Sequence, residues 1–299
     1  MNVIEVNNLE KRYDEKTVVK NLSFSVKEGE VLGLLGPNGA GKSTTINMLS
    51  SILKNDSGSI NVLGKDLEKN KKFVKKSIGV VPQDLAIYEE ISAKENVTFF
   101  ASLYGLRGKE LVQEVENSLR IVGLLERQND KPKTFSGGMK RRLNIACAIT
   151  HRPQLLIMDE PTVGIDPQSR NHILKTIQKL RDNGTSIIYS THYMEEVEAI
   201  AEGTKEELYQ KMNTDVAVNF ELKFVERLNQ NNLVKLPEVN KYKLQGNMLK
   251  IYQSEKGDSS LNRLITTILR NGCQIETMST KKTTLENLFL DLTGRKLKD

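Results

Sequence analysis

Apolar and polar residues fall into two textures along this chain. Met1–Tyr13 and Leu22–Lys27 alternate apolar with polar side chains, the period of half-buried strands. Glu30–Leu35 (EVLGLL) is a short apolar run entering a glycine-rich loop, and Lys42–Leu53 predicts a helix behind that loop. From about Asp84 to Ile149 the pattern turns helical and uneven, clearest over Glu95–Tyr104 and Lys109–Leu125. Leu155–Met158 and Ser186–Ser190 are short apolar runs, expected as buried strands, with a helix over Gln168–Asp182 between them. Short apolar strands alternating with helices imply a parallel α/β sheet.

The texture changes after about residue 212. Val216, Val218, Phe220, Leu222 and Phe224 recur at period two, and a short helix over Val225–Leu233 can follow. Tyr242–Leu244 and Met248–Tyr252 flank Gln245-Gly246-Asn247, a hairpin signal. Leu261–Arg270 is amphipathic and meets a helix stop at Asn271-Gly272. Gln274–Thr277 is expected as a strand, and Thr283-Thr284-Leu285-Glu286 as a capping box opening a last helix, Leu285–Leu292. The order βαββαβ plus a helix predicts a small α+β, ferredoxin-like domain over 213–299.

Composition narrows the class. The chain has 299 residues, 38% hydrophobic and 27% charged, as in water-soluble globular proteins. No run approaches the roughly 18 apolar residues of a membrane span, and the first residues lack the apolar core of a signal peptide, so a cytoplasmic protein is expected. Cys147 and Cys273 stand far apart among apolar neighbours, which argues against a disulfide framework or a zinc site. The net charge of +6 is scattered. Its densest run, Lys65–Lys76, contains two acids and reads as a solvated helix face rather than a nucleic-acid patch.

The chemistry sits in the loop. Gly36-Pro37-Asn38-Gly39-Ala40-Gly41-Lys42-Ser43, followed by Thr44, matches G-x-x-x-x-G-K-[ST] in strand–loop–helix context. Its glycines let backbone N–H groups turn toward phosphates, and the helix N-terminus adds partial positive charge. Lys42 can reach the β and γ phosphates, Ser43 can offer its hydroxyl to Mg²⁺, and Thr44 can add an outer contact. Leu155-Leu156-Ile157-Met158 ends in Asp159-Glu160, at the carboxyl end of a strand, where open α/β sheets hold ligands. Asp159 can hold the magnesium, and Glu160 can polarise the attacking water as general base. His151 and His172 pair with nothing in this pattern and are expected to be structural.

Four further pieces complete a known constellation. Phe135-Ser136-Gly137-Gly138-Met139-Lys140 precedes a helix, Gln83 follows Val80-Val81-Pro82, Ile165-Asp166-Pro167 follows the acidic pair, and His192 lies just past the second buried strand. With the loop, these resemble the ATP-binding subunits of ABC transporters, over about residues 2–212. The resemblance implies a P-loop NTPase fold over 1–212: a RecA-like parallel core, an antiparallel β subdomain, and a helical arm at about 84–150 that touches a membrane subunit. It implies ATP and Mg²⁺ as cofactors and a head-to-tail homodimer, or a heterodimer with a paralogous ATPase. Ser136, Gly137 and Gly138 of one subunit would then bind the γ-phosphate held by the other. By the same resemblance Tyr13 stacks on adenine, Gln83 senses magnesium and water, His192 contacts the γ-phosphate, and Asp166 works across the dimer interface. Tyr13 can equally be a packed strand aromatic. The motif reads Phe-Ser-Gly-Gly-Met where Leu-Ser-Gly-Gly-Gln is commoner, which leaves the glutamine's side-chain contact without a counterpart.

The sequence departs from the family after Met194–Ile200. Two short strands are expected there, and Ala201-Glu202-Gly203-Thr204-Lys205 follows at once. The shortfall is on the order of 15 residues by strand and turn lengths. Either the sequence as written omits the stretch or the protein has lost it. The unpaired backbone that a lost core strand would leave favours the former.

Thr283–Asp299, with the hairpin before it, resembles the C-terminal domain of efflux-type ABC ATPases. That implies export through a separate integral-membrane permease, with this chain on the inner face of the cell membrane and no nucleic acid involved. Two other readings stand beside it. A soluble, non-transport ATPase of the same superfamily would usually show tandem halves or long coiled coils, and this chain has one phosphate loop and no sustained heptads. A non-catalytic regulatory module is disfavoured by intact Lys42, Asp159, Glu160 and His192.

Overall fold

The computed structural model describes residues 1–193, 195–196, 216–229, 232–233, 236–237, 239–253 and 257–281. They fall into two compact units that divide between Ala201 and Glu202.

The first unit opens with an antiparallel hairpin of β1 (Asn2–Tyr13) and β2 (Lys16–Lys27). Strand β3 (Val31–Leu35) leads through the glycine loop into helix α1 (Lys42–Leu49). Strands β4 (Ser57–Val62) and β5 (Lys65–Asp66) return to the hairpin, forming an antiparallel sheet of order β2-β1-β4-β5. Helix α2 (Lys71–Ser77) leads into β6 (Ile78–Val81). The basic run therefore forms a strand end and a short helix rather than one helix. Lys71, Lys72, Lys75 and Lys76 are solvated as expected, while the Lys65 ammonium lies 3.8 Å from the Phe73 ring centroid.

Helices α3 (Ala93–Leu103) and α4 (Gly108–Ile121) build the arm, and α5 (Gly137–Ile149) runs from it to β7 (Leu155–Asp159). Helix α3 begins with a capping box in which Ser92 and Glu95 exchange side-chain and backbone hydrogen bonds. Helix α6 (Pro167–Asp182) and strand β8 (Ser186–Thr191) follow. The second sheet has order β3-β8-β7-β6, and all its pairs are parallel.

Burial explains why β7 and β8 were legible and β6 was not. Every residue of β7 and β8 is buried, so neither has a place for a charge until it ends. Strand β6 is only four residues, with a glycine inside it. A Cβ at Gly79 would lie 2.4 Å from the Ala148 carbonyl oxygen, so glycine lets α5 pack close on this edge. One apolar cluster joins α3–α6 to one face of this sheet through Val97, Leu119, Leu143, Leu156 and Ile177. A second joins α1 and the hairpin through Ile4, Val6, Ile46, Ile157 and Ile188.

The second unit is an antiparallel sheet of β9 (Val216–Lys223), β10 (Val239–Gln245), β11 (Met248–Gln253) and β12 (Gln274–Lys281), in order β10-β11-β9-β12. Helix α7 (Gly257–Arg270) lies between β11 and β12 in sequence. Its Leu264 and Ile268 share a buried cluster with Val218, Phe220, Leu222, Leu249 and Ile251. The Gly246-Asn247 turn forms as expected, with Gln245 opposite Met248 and Gly246 at φ +58. Phe224 corrects the period-two expectation. Its φ is +58 and its side chain is 47% exposed, because the strand ends there and the chain turns into a short 3-10 segment, Val225–Arg227. The capping box at Thr283 and the last helix fall outside the described residues, as do residues 197–215. No helix among the described residues is long and apolar enough to cross a membrane.

His151 is structural, as expected. Its ring stacks on Tyr104 with centroids 3.5 Å apart and planes 3° from parallel, tying the end of α3 to the foot of β6. Its Nε2 lies 3.1 Å from the Ile78 carbonyl oxygen, so the neutral ring donates there. Burial pushes its pKa down from 6.5 to about 4. The folded state thus binds fewer protons than the unfolded state between these values, and stability falls as pH drops from 6.5 toward 4. His151→Phe keeps a ring for the stack and removes the titration. Urea midpoints measured at pH 7 and pH 5 should differ less for this variant than for the wild type.

Candidate functional site

The loop between β3 and α1 turns on glycines at positive φ, Gly39 at +80 and Gly41 at +86. A Cβ at Gly41 would lie 2.8 Å from the Val18 carbonyl oxygen, so the loop sits directly against β2. Gly41 caps α1 without a side-chain hydrogen bond, and no acidic residue occupies the helix's first turn. The helix N-terminus therefore faces a cleft of about 250 Å³. Asn38, Gly39, Gly41, Lys42, Ser43 and Thr44 line it from the loop side, Gln83 and Glu160 from the sheet, and Val18 from the hairpin.

The charged groups in the cleft engage one another. Lys42 is buried, and its Nζ donates to the carbonyl oxygens of Gly36 (2.8 Å) and Pro37 (3.1 Å). The same Nζ lies 3.0 Å from Glu160 Oε1, and Glu160 Oε2 lies 3.5 Å from His192 Nδ1. Glu160 sits at φ +44, a costly conformation for a residue with a side chain, held as part of the turn that ends β7. Ser190 stabilises that turn. Its hydroxyl donates to Asp159 Oδ1 (2.7 Å) and accepts from the Glu160 backbone N–H (2.9 Å). Ser190 was not singled out from the sequence. The only available signal was a hydroxyl residue inside an apolar strand.

Gln83 is fixed through its backbone. Arg141 on α5 donates to the carbonyl oxygens of Pro82 (2.9 Å) and Gln83 (2.6 Å), and burial lowers the Arg141 pKa. Ser136 caps α5 by accepting from the Met139 N–H (3.2 Å). Asp166 caps α6 by accepting from the Ser169 N–H (2.9 Å), and the bonds to Ser169 lower its pKa. The two caps touch. A Cβ on Gly138 would lie 2.2 Å from Ser169 Oγ, so the second glycine of Ser-Gly-Gly lets the start of α5 lie against the start of α6.

The structure thus brings Lys42, Ser43, Thr44, Gln83 and Glu160 to one cleft, with Asp159 and His192 in contact with its residues or supports. It does not bring Tyr13, Ser136, Gly137, Gly138 or Asp166 into the lining of that cleft. Tyr13 is 47% exposed at the tip of the β1–β2 hairpin, with the Lys11 ammonium 5.8 Å from its ring centroid. It is not a packed core aromatic. Larger hollows occur elsewhere, such as one of about 410 Å³ bordered by Glu114 and Arg152. Neither a glycine loop nor a helix N-terminus faces it, so chemistry rather than size marks the site. Among the described residues, no three His, Cys, Asp or Glu side chains gather as a metal-ligand set. The oxygen donors of Ser43, Asp159 and Gln83 are the kind a hard cation takes.

The profile of the ABC transporter family matches residues 19–163. The linearmycin resistance ATP-binding protein LnrL of Bacillus subtilis is 42% identical, covering 99% of this chain and 100% of that protein. This chain belongs to the ATP-binding subunits of ABC transporters. It is an ATPase of that family. A Nod factor export ATP-binding protein I, from Sinorhizobium fredii, is 34% identical, covering 99% of this chain and 87% of its own length. A solved ATP-binding subunit of an ABC transporter superposes with a TM-score of 0.62 at 29% identity, covering 70% of this subunit and 93% of that chain. A dimeric ATP-binding cassette solved in a post-hydrolysis state with ADP and phosphate has a TM-score of 0.59 at 25% identity, covering 66% of this chain and 90% of its own. ABC ATPase subunits dimerise and pair with a membrane permease. The alignment with LnrL runs over 311 positions against the 299 residues here, so at least 12 positions have no residue in this subunit.

Because Gly138 occupies a gap with no room for a methyl group, Gly138→Ala should push α5 off α6. Overpacking of this kind costs about 1–3 kcal/mol. Denaturant unfolding of the variant should register that loss, and phosphate release should fall with it.

Proposed function

We propose that this subunit hydrolyses ATP to drive export of a substrate through a separate membrane permease, from the inner face of the cell membrane. The observation that carries the reading is the cleft at the N-terminus of α1 where Lys42 pairs with Glu160, and Glu160 in turn with His192 beside it. Support for export comes from the relatives, one named for linearmycin resistance and one for Nod factor export.

In this reading the loop N–H groups of Gly36–Gly41 and the α1 terminus hold the triphosphate. Lys42 leaves its carbonyl acceptors and Glu160 to neutralise the β and γ phosphates. Freed of that cation, Glu160 accepts the proton of the attacking water. His192 donates to the γ-phosphate, and Gln83 orients the water. Ser43 and Asp159, with Gln83 nearby, would hold Mg²⁺, which would supply charge neutralisation. Tyr13, exposed at the hairpin tip, stacks on adenine.

Ser136, Gly137 and Gly138 lie outside the cleft, which fits a role in a second subunit's site. A head-to-tail pair, either two copies or this chain with a paralogue, completes each site with them and with Asp166. We take residues 1–212 as the ATPase domain and 213–299 as an accessory or dimerisation domain. The antiparallel order β10-β11-β9-β12, with α7 between its last two strands in sequence, supports the ferredoxin-like class for the latter.

The arm offers a surface for the permease. Tyr88 and Phe99 are 51% and 41% exposed and meet edge to face at 5.3 Å, just beyond Gln83 in sequence and at the start of the arm. Exposed paired aromatics mark interaction surfaces.

Two experiments test this reading. Glu160→Gln should leave ATP binding intact and cut phosphate release by roughly 100-fold or more; unchanged turnover would remove Glu160 from the role of base. Phe99→Glu should leave the basal rate of the isolated subunit near wild type and abolish co-purification with the membrane subunit.

A further inference from the structure

Glu196 lies outside every motif considered so far, yet its side chain is only 1% exposed. A buried carboxylate is tolerated where its oxygens are bonded and its charge is met, and both conditions hold here. Glu196 Oε1 accepts from Thr162 Oγ1 (2.7 Å) and lies 3.4 Å from Arg170 Nε, a charge contact. Oε2 accepts from Tyr189 Oη (2.7 Å) and from Thr191 Oγ1 (2.7 Å). Thr162 Oγ1 and Tyr189 Oη are themselves 3.2 Å apart.

The partners are informative because of their neighbours. Thr162 lies two residues after Glu160 and four before Asp166. Thr191 immediately precedes His192, and its hydroxyl also accepts from the Tyr193 N–H (3.0 Å). Arg170 lies in the first turns of α6, whose cap is Asp166. Its guanidinium carbon lies 4.6 Å from the Tyr193 ring centroid, and that ring lies 4.0 Å from the His192 ring. One carboxylate therefore fastens together the turn after β7, the turn after β8, and α6. These are the segments that present Glu160, His192 and Asp166. A core brace could have stood anywhere along β7 or β8; this one stands at the ends that carry the chemistry.

We propose that Glu196 is a positioning residue for ATP hydrolysis, holding the turn at Thr191–Tyr193 against the turn at Glu160–Thr162 so that His192 stays in register with Glu160. The proposal rests on the reading of His192 and Glu160 as hydrolytic groups. Glu196→Gln preserves shape but removes the charge that Arg170 meets and presents an amide where hydroxyls now donate. His192 then has a wider range of positions, while the loop and α1, which hold the nucleotide, are untouched.

The test uses the full chain and radiolabelled ATP. Wild type, Glu196→Gln, His192→Ala and the double variant are compared, with melting temperatures as a check on folding. Glu196→Gln should lower kcat about tenfold or more with KM for ATP within about twofold, the signature of a lost transition-state interaction. The double variant should lose less than the product of the two single losses, because Glu196 acts through His192. Should Glu196→Gln fail to fold, Thr162→Val, which removes one donor, should reproduce the kcat loss, while Thr162→Ser retains activity. A folded Glu196→Gln with wild-type kcat, or losses that simply multiply, overturns the positioning role. Wild-type turnover in His192→Ala overturns the site reading on which it rests, and this proposal with it. Loss of turnover in His192→Ala beside wild-type turnover in Glu196→Gln overturns the positioning role alone.

Discussion

Two adjacent parallel strands, β7 and β8, are buried along their whole length, and this constraint shapes the rest of the molecule. A strand covered on both faces has no place for a charge until it ends. Asp159 and Glu160 stand where β7 ends, and Thr191 and His192 where β8 ends. Because the strands are paired in parallel register, with Asp159 opposite Ser190, both ends open on the same side. Ser190 then joins them, donating to Asp159 and accepting from the Glu160 N–H. Acids, histidine and a glycine loop arrive together because the apolar core leaves them only one edge.

The same edge carries backbone strain and paired charge. Glu160 is held at positive φ, and its carboxylate lies between the Lys42 ammonium and the His192 ring. Lys42 also donates to the carbonyls of Gly36 and Pro37. The cleft is therefore internally paired. In the proposed function a triphosphate competes for Lys42 against Glu160, and binding and the release of the proposed base are then one event.

Elsewhere, close packing sets the positions of the remaining motif residues. Gly138 lets α5 meet α6 with no space for a side chain, so Ser136 and Asp166, each a helix cap, are held in fixed relation. Arg141, one turn into α5, grips the carbonyls of Pro82 and Gln83. Arg141 thereby ties the helix behind Ser136 to the backbone of Gln83, which lines the cleft.

The sequence by itself determined the loop, the acidic pair, the parallel core and the family, since each depends on a local pattern: glycines and Lys42-Ser43 in order, or an apolar run broken by acids. It also placed the Gly246-Asn247 hairpin, because a two-residue turn is a local event. It did not reveal β4 or β6. Four residues with a glycine inside, like Ile78–Val81, carry no periodicity, and only the neighbours α5 and β7 make them a strand. Phe224 continued the alternation in sequence and left it in space where the strand ended. Ser190, Arg141 and Glu196 were likewise invisible, because a serine in a strand or a glutamate in a helix is ordinary until its partners are known. Those partners lie far away along the chain, as Glu196 lies from Thr162. Only the tertiary structure, by burying a charge and then meeting it with three hydroxyls and an arginine, decided that Glu196 belongs with the site.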